Sequence, residues 1–234
     1  DGRRGYCAGM SDSPTCRAPT VVVLHGLGRT QLSMSLLVRR LRRAGLRVVW
    51  GTYPSMRRDL SALAGGWLPE FLRAHGVWDE PEVDFVTHSM GGIVVRWFDR
   101  HVRPGFARRV VMLAPPNRGS EIIDRGRRWW LFRAVQGPAA LQLHTGPDSA
   151  PNQLGPGRAG FGVIAGTRSL NPVFSAIVPG PGDGKVSVER ARLDGAGDFA
   201  TFPYSHTWLM NRRPVQDAVL RFLARGRFEP GRRD

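Results

Sequence analysis

Short, wholly apolar strands alternate with helix-like segments along this chain, and that alternation restricts its fold more than any other feature. Thr20–Leu24 is a continuous apolar and β-branched run, which is typical of a parallel strand buried on both faces. Gln31–Ala44 then places leucines at helical spacing, and Gly45 ends that helix. The unit recurs, with strands predicted at 46–50, 82–86, 109–113 and 161–165. Helices are predicted at 59–75, broken or capped near Gly65 and Gly66, and at 93–101 and 214–224. The pattern predicts an α/β fold with a mostly parallel sheet and helices on both faces.

The domain organisation follows from where this alternation starts, stops and is interrupted. The chain has 234 residues, which suits one buried domain. We expect a single domain over residues 20–228, an irregular arm at 1–19 and a short tail at 229–234. Residues 117–160 carry an aromatic and basic stretch and then many glycines and prolines. They are predicted to form a lid-like excursion over the sheet.

The charge is strongly positive, at +15, and almost entirely due to arginine, because Lys185 is the only lysine. Such a charge favours anionic partners, including acidic lipid headgroups. The arginines are spread along the chain without a nucleic-acid-binding motif, so no specific nucleic-acid site is predicted. No apolar run approaches the roughly 20 residues that span a bilayer, so membrane contact would be peripheral.

The only two cysteines, Cys7 and Cys16, precede the first strand and could close a short loop. A disulfide between them would indicate an oxidising compartment, and therefore a secreted or periplasmic protein. Two free thiols in an N-terminal segment are the alternative, and they would be compatible with the cytoplasm.

A serine lies on the predicted turn between the third strand and the next helix. The sequence T-H-S-M-G at residues 87–91 places Ser89 there. A serine on such a sharp turn projects its hydroxyl from the sheet edge, where it can act as a nucleophile. The usual pattern is G-x-S-x-G; Gly91 keeps it, whereas Thr87 departs from it. The alternative is an ordinary turn in which the serine only caps the helix.

A serine nucleophile needs a general base, and the base needs a carboxylate that orients it. On such a fold the expected order along the chain is serine, acid, histidine. His206 lies just before the last helix and is the predicted base, while Asp183 lies on a glycine-flanked loop and is the predicted acid. Asp194 and Asp198 are rival acids, but a strand expected at 199–202 would put Asp198 at the wrong end of the sheet.

The oxyanion formed during acyl transfer needs two backbone N–H donors. Met90, directly after the serine, is predicted to supply one of them. Leu27 is predicted to supply the other, because it lies in the glycine-rich H-G-L-G sequence that follows the first strand. These glycines also suit a tight turn, and the two interpretations are compatible.

Together the motifs resemble bacterial α/β-hydrolases of the lipase and esterase type, in particular a compact group related to inositol deacylase-like proteins. The resemblance covers residues 21–228 and is carried by the segments 25–28, 87–92, 113–120, 183–187 and 205–207. It implies Ser89 as nucleophile, Asp183 as acid and His206 as base, with Leu27 and Met90 as oxyanion donors. It also implies a metal-independent enzyme, and we expect no cofactor.

The substrate is less constrained than the chemistry. Aromatic residues with basic neighbours suit a lipid–water boundary, although they could equally pack into the core. Substrate contacts are predicted at His88, Trp129, Trp130, Leu131 and Phe132. The leading hypothesis is hydrolysis of carboxylic esters, with short- to medium-chain acyl groups and a small-molecule or lipid substrate. The alternatives are acyl transfer, thioester or amide cleavage by the same residues, and a non-catalytic binding module.

Overall fold

The computed structural model of the protein describes residues 19–170, 172 and 177–229. Both cysteines, nearly all of the predicted N-terminal arm and most of the predicted C-terminal tail lie outside the described residues. No helix within the described ranges is long and apolar enough to cross a membrane.

A parallel sheet of six strands forms the centre of the described structure. Its strand order is β2-β1-β3-β4-β5-β6, and every neighbouring pair is parallel. The strands are β1 (Thr20–Leu24), β2 (Arg47–Trp50), β3 (Val83–His88), β4 (Ala107–Leu113), β5 (Phe161–Gly166) and β6 (Asp198–Phe202). The α/β class predicted from the alternating pattern is confirmed.

Helices cover both faces of this sheet, as predicted. They are α1 (Ser35–Arg43), α2 (Leu60–Ala62), α3 (Leu68–Ala74), α4 (Met90–His101), α5 (Glu121–Gly126), α6 (Trp130–Leu141), α7 (Ala150–Gln153), α8 (Val188–Ala191) and α9 (Arg213–Arg225). Short 3₁₀ turns at Gln31–Met34 and Leu209–Asn211 precede α1 and α9. One face packs on α1 and α9 and the other on α2, α3 and α4, so every residue of β1 is buried.

Two helices differ from their predicted bounds. The helix expected at 59–75 with a break near its two glycines is continuous, because a π-helical turn at Leu63–Trp67 joins α2 to α3. The helix expected from residue 93 begins at Met90, directly after Ser89. The chain therefore passes from β3 into α4 through a single residue, which is a sharper turn than the hydrophobic pattern predicts.

The segment 117–160 lies outside the sheet, as expected, and we call it the lid. It contains α5, α6 and α7, and α6 is kinked where Gly137 adopts a φ of 76°. The buried guanidinium of Arg96 on α4 donates hydrogen bonds to carbonyl oxygens of Asn117, Pro151 and Gly155. Both ends of the lid are thus attached to a helix of the main body.

Candidate active site

The predicted site residues meet at the carboxyl edge of the sheet. Ser89 follows β3, Leu27 follows β1, and His206 follows β6. Asp183 lies in the long connection after β5 and packs against the end of that strand. A Cβ atom on Gly166, the last residue of β5, would lie 2.8 Å from the Asp183 Cβ, so glycine is required for this approach. Parallel strands end at one edge, which is why distant parts of the sequence converge here.

Ser89 is held in a strained backbone conformation. Its φ is 52° and its ψ is −125°, and among the described non-glycine residues only Ala114 also has a positive φ. The Ser89 N–H donates to the Leu113 carbonyl at 2.8 Å, which fixes the turn to the end of β4. A strained serine between a strand and a helix is the arrangement that presents its hydroxyl to substrate.

The neighbours of Ser89 explain its unusual local sequence. A Cβ atom on Gly91 would lie 2.8 Å from the His25 carbonyl oxygen, so no larger residue is accommodated there. Thr87 is fully buried, and its hydroxyl donates to the Val111 carbonyl at 3.4 Å. A Cβ atom on Gly92 would lie 3.2 Å from the Thr87 hydroxyl. Glycine at position 92 thus leaves room for threonine where the usual pattern has glycine.

Asp183 and His206 form a buried, directly hydrogen-bonded pair. The His206 Nδ1–H donates to Asp183 Oδ2 at 2.8 Å, and both side chains are almost inaccessible to solvent. Asp183 Oδ1 accepts the backbone N–H groups of Lys185 and Val186, each at 2.9 Å. The His206 N–H also donates to the Asp183 carbonyl at 3.0 Å. The carboxylate therefore fixes the imidazole in the tautomer whose Nε2 can accept a proton.

The rival acids lie elsewhere. Asp194 is exposed and pairs with Arg118 at 2.7 Å. Asp198 begins β6, at the edge of the sheet opposite to Ser89, and accepts the Phe228 N–H at 2.6 Å. Neither carboxylate is hydrogen-bonded to His206, whose ring contacts Asp183.

The Leu27 and Met90 amides have no protein acceptor within the described part of the chain, since the hydrogen bonds around them involve other groups. Two unsatisfied N–H groups beside a serine can stabilise an oxyanion. Ser89 and His206 line the same cavity, but the structure has no hydrogen bond between the Ser89 hydroxyl and the His206 ring. Such catalytic contacts are often long without substrate and shorten in the Michaelis complex.

His88, a predicted substrate contact, lies almost fully buried in the cavity wall and connects the serine turn to the histidine loop. Its Nε2–H donates to the His206 carbonyl at 3.0 Å, and its Nδ1 has no hydrogen-bond partner in the described structure. A Cβ atom on Gly26 would lie 2.7 Å from that Nδ1. Burial, followed by the positive charges nearby, lowers the pKa of His88 well below its usual value. His88 thus stays neutral and positions the His206 loop.

His25 fixes the loop that carries Leu27. Its ring stacks on Tyr53 with centroids 4.2 Å apart, and its Nδ1–H donates to the Gly26 carbonyl at 2.8 Å. The Tyr53 N–H donates to His25 Nε2 at 3.2 Å, and the Tyr53 hydroxyl donates to the His25 carbonyl at 2.7 Å. Burial lowers the pKa of His25, partly offset by the bond to Gly26. Sequence reasoning had no specific role for this histidine.

The two buried histidines predict a loss of stability in mild acid. In the unfolded chain each titrates near 6.5, whereas in the folded protein each takes up its proton only at lower pH. Below about pH 6.5 the unfolded state therefore binds more protons, and the free energy of unfolding falls toward the folded pKa values. Each histidine can contribute up to about 1.4 kcal/mol per pH unit. Urea unfolding between about pH 7.5 and 5.5 measures the slope.

Two single substitutions, one test variant and one control, show whether a buried histidine causes the slope. His88→Asn removes one buried titrating group and should reduce the slope, and His75→Asn, at an exposed helix end, is the surface-histidine control. A free energy of unfolding that stays constant over this pH range, or an unaltered slope in His88→Asn, would contradict the assignment.

A cavity of about 400 Å³ opens at Ser89, and the lid supplies much of its wall. Its apolar lining includes Leu27, Ile122, Ile123, Phe132, Leu143 and Val186. Its polar lining includes Arg29, Gln136 and Lys185, which the sequence motifs did not single out. Lys185 lies in the segment 183–187 that carries part of the family resemblance, and its place there was the one sequence signal that could have identified it as a cavity residue.

The aromatic stretch of the lid divides into two parts. Phe132 lines the cavity and packs against Gly126, where a Cβ atom would lie 2.6 Å from its ring. Trp129, Trp130 and Leu131 remain outside the cavity, with 71%, 78% and 58% of their surfaces exposed. Of the four predicted substrate contacts in the lid, only Phe132 therefore lines the cavity at Ser89, and substrate contact by the other three stays a prediction. They are not core residues either, because the lid turns them toward solvent.

Comparison with known proteins gives structural likeness without close sequence likeness. No family model matches the chain, and no curated protein matches it. The mature lipase of Bacillus licheniformis superimposes with a TM-score of 0.70 at 19% identity, over 91% of this chain and 95% of that one. Phospholipase PlaB from Legionella pneumophila superimposes with a TM-score of 0.67 at 18% identity, over 88% of this chain and 60% of the phospholipase chain. Lipase B from Aspergillus fumigatus superimposes with a TM-score of 0.67 at 15% identity, over 93% of this chain and 55% of the lipase chain.

The sequence resemblance is confirmed at the level of the fold: the chain has the α/β-hydrolase fold that it shares with these lipases and this phospholipase.

Proposed function

We propose that the protein is a serine hydrolase that cleaves carboxylic esters through an acyl-enzyme at Ser89. The observation that carries the proposal is the hydrogen-bonded pair of Asp183 and His206 in the cavity that also contains Ser89. The structural neighbours named as lipases and a phospholipase support an ester as the substrate.

In the first half-reaction, His206 Nε2 accepts the Ser89 proton while the hydroxyl oxygen attacks the ester carbonyl. The Leu27 and Met90 amides donate to the oxyanion that develops on the carbonyl oxygen. Asp183 stabilises the resulting imidazolium through Nδ1. His206 then gives the proton to the departing alkoxide, and the alcohol leaves the cavity.

In the second half-reaction, water takes the place of the alcohol. His206 removes a proton from the water as it attacks the acyl-enzyme, and the same two amides stabilise the second tetrahedral intermediate. Return of the proton to Ser89 releases the carboxylic acid. All groups used in both steps belong to this chain.

The cavity indicates the kind of acyl group. Four apolar side chains of the lid, Ile122, Ile123, Phe132 and Leu143, line it, and its volume of about 400 Å³ is at the small end for ligand sites. This favours short- to medium-chain acyl groups over long ones, since burial of apolar carbon stabilises binding only while the chain stays inside.

The direct test combines active-site labelling with a chain-length series. A fluorophosphonate probe should modify Ser89, and p-nitrophenyl esters from acetate to decanoate should be hydrolysed with an optimum below decanoate. Added methanol or glycerol separates hydrolysis from acyl transfer, because only acyl transfer yields a new ester in preference to the acid. No labelling at Ser89 and no turnover with any ester would refute the proposal and favour a binding module.

We also propose that the exposed end of the lid contacts anionic membranes. Trp129, Trp130 and Leu131 form an apolar surface, and three exposed arginines, Arg125, Arg127 and Arg128, lie immediately before it. Large aromatic side chains next to cationic ones are suited to the headgroup region of an anionic bilayer. The contact would bring the cavity mouth to a lipid substrate.

The membrane proposal predicts a specific loss of vesicle binding. Trp129→Ser/Trp130→Ser should lower the partition coefficient on phosphatidylglycerol-containing vesicles at least about tenfold, because two large apolar side chains no longer enter the interface. Leu32→Ser/Leu36→Ser removes two exposed apolar side chains elsewhere and is the matched control. Equal sedimentation of both double variants with vesicles would contradict the proposal.

A further inference from the structure

Two cationic side chains line the cavity at Ser89 and take no part in the hydrolytic steps. Arg29 lies on the loop after β1, two residues beyond Leu27, and Lys185 lies two residues beyond Asp183. Both share the cavity wall with Ser89 and His206. Lys185 is also the only lysine in a chain whose 34 basic residues are otherwise arginines.

Neither cation has a carboxylate partner within the residues that the structure describes. The Arg29 Nη1 donates to the Thr207 carbonyl at 3.1 Å, which leaves the rest of its guanidinium available. The carboxylate nearest to Lys185 in sequence, Asp183, is already occupied by His206 and two backbone N–H groups. Other basic residues do pair with acids, for example Arg40 with Asp217, Arg158 with Asp99 and Arg190 with Glu121.

The electrostatics of this pair favour an anion between them. Burial lowers the pKa of Arg29 and of Lys185, and the charge of Arg29 lowers the pKa of Lys185 further, against a smaller opposing effect of Asp183. Two partly desolvated cations that repel each other would both be stabilised by a negatively charged group in the cavity.

The hydrogen bonds of these two residues indicate which part of an ester their cationic groups would contact. The Arg29 guanidinium is hydrogen-bonded to the carbonyl of Thr207, the residue after His206. The Lys185 backbone N–H is hydrogen-bonded to Asp183, the carboxylate that orients His206. His206 must reach the leaving oxygen, because it protonates the departing alkoxide. The apolar wall that suits an acyl chain comes mainly from the lid instead.

We propose that the preferred substrates are carboxylic esters of an alcohol that carries an anionic group, and that Arg29 and Lys185 bind this group. The acyl chain then occupies the apolar lid side of the cavity. This inference rests on the proposed esterase function and specifies its substrate class. A phosphate on the leaving alcohol is the test case, because its oxygens can accept hydrogen bonds from both cations.

The kinetic test compares two esters with the same acyl chain and the same leaving hydroxyl. For the wild-type protein, kcat/KM for 1-octanoylglycerol 3-phosphate should exceed that for 1-octanoylglycerol about tenfold, as expected for two partly exposed ion pairs. Arg29→Gln and Lys185→Gln should each reduce this ratio, and the double variant should bring it near one. Arg39→Gln removes an exposed charge remote from the cavity lining and should keep the ratio.

Binding to the Ser89→Ala protein separates this inference from the proposed activity. Calorimetry should show tighter binding of 1-octanoylglycerol 3-phosphate than of 1-octanoylglycerol, and the difference should shrink as salt is raised. Introducing Arg29→Gln and Lys185→Gln into the Ser89→Ala protein should abolish the difference in affinity between the two lipids. Equal affinity for the two lipids, or a preference that survives the double substitution, would overturn the inference even if Ser89 proves to be a nucleophile. Failure of ester turnover with a retained anion preference would instead count against the esterase alone.

Discussion

Ser89→Ala should lower kcat/KM for the best p-nitrophenyl ester by at least about 10⁴-fold and abolish labelling by the fluorophosphonate probe. The methyl group cannot attack a carbonyl, and water has no equivalent position between the His206 base and the two amides. Activity is measured from nitrophenolate release under conditions where the spontaneous rate has been subtracted, and labelling is measured by intact mass.

The loss in Ser89→Ala should occur without a loss of stability. Ser89 has no side-chain hydrogen bond within the described residues, and alanine tolerates a φ of 52° no worse than serine does. Ser61→Ala, on the exposed surface of α2, is the matched control and should retain activity and labelling. Residual turnover in Ser89→Ala within about tenfold of wild type would show that another nucleophile is responsible.

Asp183→Asn should reduce kcat by about 10³- to 10⁴-fold with little change in the fold, as is typical when the orienting acid of a triad becomes an amide. The reason lies in the three hydrogen bonds of this carboxylate. Oδ1 accepts two backbone N–H groups, so the amide oxygen of asparagine would take that position. Its NH₂ group would then face His206 Nδ1 and force the proton onto Nε2, which could no longer accept the Ser89 proton.

The rival acid provides the control for Asp183→Asn. Asp194→Asn removes one negative charge from the same stretch of chain, but Asp194 pairs with Arg118 on the surface. Its loss should change kcat by less than about twofold, since exposed ion pairs contribute little. Steady-state kinetics and thermal unfolding of both variants distinguish the roles. Equal effects of the two substitutions would mean that Asp183 does not orient the base.

The fold was predictable because its signals are local. The wholly apolar run of β1 and the helical spacing of leucines in α1 each identify their element within a few residues, and parallel strands with helical crossovers follow from their alternation. The turn at Ser89 was also predicted, because the serine motif lies between an apolar strand and a helix, although the start of the helix directly at Met90 was not. The π-helical turn at Leu63–Trp67 was not, since a pair of glycines suggests a break and tertiary packing decided otherwise.

By itself, the sequence determined the fold class and the candidate Ser89, Asp183 and His206, because motifs and chain order can be read without distances. Only the tertiary structure decided how these residues meet, since the 2.8 Å bond from His206 to Asp183 joins residues 23 positions apart across two loops. It also decided that the lid turns Phe132 inward and Trp129 outward, because that depends on which surface the lid covers. The tertiary structure likewise decided that Arg29 and Lys185 line the same cavity. These two residues belong to no shared motif and become neighbours only where parallel strands end at one edge of the sheet.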